Sequence, residues 1–179
     1  MDVAEEAVVD LLVSHGADRM EHPGGTLLAH LRRVSEELRG WGARPALQLA
    51  GLAHAFYGTD GFAESLLPLE RREQLRTLTG IEAEALVYFY ASCDRAATYP
   101  TLSAEKVLFR DRFTGETYQP PADRLRDFAE LSAANELDIA QVSPAFRVEH
   151  EEALRRFFGR LRPWLSPLAW QACESLDLA

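Results

Sequence analysis

The 179-residue chain is poor in several things that would narrow its function, and each shortage excludes something. It lacks any apolar run approaching the ~18 to 20 residues that a membrane span needs. It has only two cysteines, Cys93 and Cys173, which form no CxxC pair, so neither a disulfide framework nor a structural zinc site is expected and both read as buried small hydrophobes. It lacks a basic excess: the formal charge is -9, the pI is near 5.1 and Lys106 is the sole lysine, which argues against a nucleic-acid partner because phosphate contacts need clustered cations. The opening MDVAEEAVVD is acidic, with no basic n-region ahead of an apolar stretch, so no signal peptide is read and a cytoplasmic protein is expected. Internal repeats and low-complexity segments are absent too.

What remains is an ordinary globular composition, 47% apolar and 26% charged, at a length that suits one self-sufficient core. Apolar residues recur at helical spacing along most of it. The periodicity predicts an all-α bundle of about eight helices forming a single domain over 1–179; a family resemblance given below implies a core at about 18–142, with C-terminal helices over 147–176 packed on it. A first helix runs over 3–14. A second runs from about Thr26, whose hydroxyl suits a cap, to Arg39, with Leu27, His30, Leu31, Val34 and Leu38 on one face. Pro45 opens a third, PALQLAGLAHAFYG, so apolar that it should be buried on most sides. A fourth ends at Gly80, a fifth carries Ile81, Ala85, Leu86, Phe89 and Cys93 inward, and a long one follows Pro121. The stretch VLFRDRFTGETYQPP alternates weakly about Thr-Gly and predicts a small hairpin near 108–118, read as a solvated edge rather than a lid.

Two histidines stand out. His30 faces with the apolar stripe of its helix, and His54 lies in a run so apolar that a neutral imidazole there needs a partner for each ring nitrogen. A metal ion meets that need; so does an ordinary set of core hydrogen bonds. His22, just ahead of a Gly-Gly turn at the mouth of the second helix, reads either as a substrate-binding or acid-base group or as a solvent-exposed turn residue. Asp94 and Arg95 end a helix, where an ion pair between them would lock the loop.

The pattern resembles the HD superfamily of helical metal-dependent phosphohydrolases. HLRRVSEEL is similar to the helix of the first histidine, LQLAGLAHAFYGTD to that of the His-Asp dipeptide, and SAANELDIAQV to the helix of the distal aspartate in the alarmone-hydrolase branch; the likeness spans about Asp18 to Val142. It implies one divalent ion (Fe, Mn or Zn) held by His30, His54 and Asp138, and hydrolysis of a phosphate ester by metal-activated water. Ala55 stands where the family has its diagnostic Asp, which removes a strong anionic ligand. Asp60, in the following Gly-bracketed loop, is the candidate replacement and, with His22, the candidate catalytic group. Tyr57, Asn135 and Arg95 are the expected contacts of a small-molecule substrate, Asn135 because it lies three residues from Asp138 on one helical face. The alternatives are a tailoring enzyme of secondary metabolism and, given Ala55, a metal-free HD-like binding or regulatory module without catalysis. Trp164 and Trp170 read as packing or interface residues and leave a homodimer open.

Overall fold

The structure, a computed structural model, describes residues 3–62 and 64–176. Among these, eight α-helices and two very short antiparallel hairpins make up an all-α bundle. Helix α1 spans Val3–Ser14, α2 Leu27–Gly40, α3 Pro45–Ala53, α4 Arg72–Ala91, α5 Arg95–Thr98, α6 Ala122–Val142, α7 Pro144–Leu161 and α8 Pro167–Ser175. Strands β1 (Glu21–His22) and β2 (Gly25–Thr26) pair across the Pro-Gly turn, and β3 (Phe109–Arg110) pairs with β4 (Thr117–Tyr118) inside the expected hairpin region. No helix among the described residues is long and apolar enough to cross a membrane.

Local chemistry accounts for most boundaries. The Thr26 hydroxyl accepts from Ala29 N at 3.2 Å and caps α2, and the predicted stripe of that helix is buried along its whole length. Pro45 and Pro167 occupy first-turn positions of their helices, where the missing N–H costs nothing. Gly80, at φ 83°, takes a backbone conformation that side-chain-bearing residues avoid and bends α4 into two arms. The predicted break between a fourth and fifth helix is therefore real, although the two arms run on as one element. Ile81, expected inward, is 74% exposed, because the turn at Gly80 rotates the second arm so that Ala83, Leu86, Val87 and Tyr90 face the core instead.

Helix α2 is the central element, lying against α3 on one side and α6 on the other, with α7 closing over α6. Leu27, Leu31 and Leu38 of α2, Leu131 and Leu137 of α6 and Phe56 are among the fully buried side chains of the core, each worth about 1.5–3 kcal/mol of burial. Cys93 and Cys173 are free and buried. Trp164 and Trp170 are only partly exposed, and the Trp164 indole donates to the Leu102 carbonyl at 2.8 Å, so packing within the chain accounts for Trp164. One finding changes the sequence picture at its centre. Helix α3 stops at Ala53, and His54 follows it as the C-cap rather than sitting within the helix.

Candidate functional site

Where α2, the end of α3, the middle of α6 and α7 meet, the chain encloses a cavity of about 670 Å³. His22, His30 and His54 line it together, delivered by β1, α2 and the α3 terminus. The rings of His22 and His30 stack at 4.1 Å and 25°, and those of His30 and His54 meet edge to face at 5.4 Å. His54 in turn lies edge-on to Tyr90 at 5.3 Å. The two histidines that the sequence singled out do converge, on the side of α2 that faces α6.

Asp138 and Asn135, one turn apart on α6, reach into the same cluster. Asp138 Oδ2 accepts from His30 Nδ1 at 2.6 Å, while Arg33 donates to Oδ1 from Nε at 2.6 Å and to Oδ2 from Nη2 at 3.0 Å. Burial alone would push the Asp138 carboxyl up, but hydrogen bonds from His30 and Arg33 outweigh it and hold the group below its usual range. His30 Nε2 meets Asn135 Oδ1 at 3.1 Å, so an oxygen faces each nitrogen of this buried ring. The His54 ring donates from Nδ1 to the Gly51 carbonyl at 2.7 Å. Burial first, and the neighbouring His30 second, lower His54 to about 3 and His22 to about 4, so both stay neutral at ordinary pH.

These pairings do not fit a shared metal ion. Both Asp138 oxygens already carry Arg33, and both His30 nitrogens face oxygens. Face-to-face stacking of His22 on His30 also keeps their in-plane lone pairs from converging on one point. Among the described residues no three His, Cys, Asp or Glu side chains group as a metal site.

The remaining expected residues divide. Asp60 does not replace the acid missing at Ala55: it is exposed, its Oδ2 accepts from the Arg95 backbone N–H at 2.8 Å, and it lies outside the cavity lining. Tyr57 also points elsewhere, its hydroxyl donating at 3.0 Å to Glu84, a fully buried carboxylate gripped by Arg72 at 2.6 and 3.1 Å. Arg95 does line the cavity, but its ion-pair partner is Glu136 at 3.6 Å and not the adjacent Asp94, which caps α5 through Ala97 N and meets Arg110 at 3.4 Å. Asn135 lines the cavity as expected. The far wall, Phe146, His150, Leu154 and Phe157 of α7, was missed, and so was Tyr99. The signal was there in α7, whose apolar residues 146, 154 and 157 share a helical face.

With the geometry in place, comparison with known proteins adds one likeness. Residues 11–95, a little under half of the chain, match a family described as a domain of unknown function, DUF6817. That stretch contains His22, His30 and His54 but ends before α6. No curated protein and no solved structure matches.

Proposed function

We propose that this chain binds a small, largely apolar organic molecule in the cavity over His22, His30 and His54, without a resident metal, on an HD-like helical frame in which Ala55 has taken the place of the metal-binding acid. The single observation that carries this reading is that Asp138 and His30 already meet protein partners at both carboxylate oxygens and both ring nitrogens. Asp138 is paired with Arg33 and His30, His30 Nε2 meets Asn135 Oδ1, and His54 donates to the Gly51 carbonyl, so His30 and His54 are held in place without a cation. Above that floor a cavity of about 670 Å³ falls within the usual ~300–1,000 Å³ range of ligand pockets and has walls built from aromatic and aliphatic side chains.

The test uses the uncharged dye Nile red as probe, on untagged protein with a chelator present throughout. Binding is expected with the chelator present, and Ala153→Trp is expected to weaken it at least about tenfold. Ala153 is an exposed α7 residue at the cavity edge, so a large side chain there fills the space without disturbing the core. Absence of binding in the parent would contradict the reading.

A second reading, a metal-dependent phosphoester hydrolase or a related tailoring enzyme, draws on the convergence of His30, His54 and Asp138. It requires Asn135 and Arg33 to release their partners when the ion enters. Binding or turnover that appears only after Fe, Mn or Zn is supplied would favour it.

A further inference from the structure

We infer that the molecule taken up by this cavity is a monoanion, a carboxylate on an apolar body, and that Arg95 is the residue that recognises its charge. The inference rests on the ligand-pocket reading above and deepens it.

Arg95 is a well-enclosed cation on the cavity wall, its side chain only 24% exposed, yet it is poorly bonded. The nearest partners of its guanidinium are the Tyr90 hydroxyl at 3.5 Å and Glu136 Oε1 at 3.6 Å, and the Tyr99 ring lies 5.9 Å away. A guanidinium has five N–H donors in a planar fork, and a buried one is normally met by short, paired acceptors. Here none of the contacts approaches the 2.7–2.9 Å of a charge-assisted bond, so donors remain for a ligand. By contrast Arg33 and Arg72, also partly enclosed, each grip a carboxylate with contacts of 2.6 to 3.1 Å. The chain thus satisfies its structural arginines and leaves this one open at the cavity.

The position of Arg95 depends on Gly61. A Cβ at residue 61 would sit 2.6 Å from Arg95 Nη1, so a larger residue there would push the guanidinium out of its present place. Both residues line the cavity, and Asp60 fixes the same loop to the Arg95 backbone. Planarity and a single positive charge match a carboxylate, which meets the fork through two parallel bonds. Glu136, 3.6 Å away, opposes the second negative charge of a phosphate monoester. The aromatic and aliphatic walls take the rest of the molecule.

The experiment is calorimetric titration of the full chain with 4-phenylbutyrate, with its uncharged analogue 4-phenylbutanol and with 4-phenylbutyl phosphate. The acid is expected to bind at least about tenfold tighter than the alcohol, and Arg95→Gln to remove that difference. Glu136→Gln, which frees the guanidinium, is expected to tighten the acid alone, and Gly61→Ala to weaken the acid alone. Since Glu136→Gln strengthens binding, a merely structural role for this region would not reproduce the set, and Arg95→Lys stands in should Arg95→Gln fail to fold. Equal affinity for acid and alcohol in the parent overturns the role of Arg95 while leaving the pocket reading intact. Tighter binding of the phosphate overturns the carboxylate assignment, and binding of none of the three overturns both readings.

Discussion

Asp138→Ala is expected to cost about 3–5 kcal/mol of stability, a drop of roughly 10 °C or more in Tm for a chain of this length. The carboxylate is 5% exposed and is the meeting point of two sets of donors, His30 Nδ1 and the Arg33 fork. Removing it leaves His30, at 1% exposure, with a buried donor and no acceptor, and that orphaned group sets the size of the loss. Arg33, whose side chain is 32% exposed, turns to water at smaller cost. Two comparisons make the expectation specific. Asp138→Asn keeps an acceptor for one partner and should lose clearly less, and Arg33→Ala should lose less than Asp138→Ala. Thermal denaturation of the three variants checks the order; equal losses from Arg33→Ala and Asp138→Ala would mean that the His30 contact contributes nothing.

The second large effect is acid lability. His54 is fully enclosed and its folded value lies near 3 against an ordinary 6.5, because burial and the charge on His30 disfavour a proton there. A histidine depressed in the folded state takes up its proton more readily when unfolded, so its stabilising contribution is complete above about pH 6.5 and is lost as pH falls toward 3. At about 1.4 kcal/mol per pH unit the loss from His54 is on the order of 5 kcal/mol across that window. His22, lowered to about 4 and only half-buried, adds a smaller loss of the same sign. Below about pH 4, Asp138 contributes in the same direction, because its carboxyl is held low by His30 and Arg33 despite burial. Denaturant unfolding from pH 7.5 to pH 5 should therefore show falling stability, and His54→Leu, whatever its starting stability, should flatten the slope. An unchanged slope in His54→Leu would assign the acid sensitivity elsewhere.

How much of this was legible in the sequence depended on whether a residue's fate was decided locally. Helix α2 was readable because its apolar residues keep a 3.6-residue period and Thr26 supplies a cap at the right place. The β3–β4 hairpin was readable from Thr-Gly between weakly alternating flanks. The end of α3 was not: PALQLAGLAHAFYG continues apolar past Ala53, and what stops the helix is the turn that lets His54 close on the Gly51 carbonyl. Nor could chain order show that Tyr57 turns to Glu84 or that Asp60 is taken by the Arg95 backbone, since these partners are 27 and 35 residues away. Asp138 was placed beside His30 only through a family resemblance, and nothing in the sequence announced that Arg33, three residues along α2 from His30, would neutralise it. The wall formed by α7 is harder to read, because its many charged residues are interleaved with Leu154, Phe157 and Phe158, which are buried.

The claim beneath all of this is that His30 and His54 are held by Asp138, Asn135 and a backbone carbonyl rather than by an ion. Long-range ¹H–¹⁵N correlation spectra of the histidine rings, recorded before and after one equivalent of zinc is added to metal-free protein, measure it directly. The account predicts that His54 stays in the neutral form carrying its proton on Nδ1 from pH 7.5 to pH 5, and that zinc leaves the ring nitrogens of His30 and His54 unmoved. Stoichiometric zinc-induced shifts of ring nitrogens in both residues would contradict it.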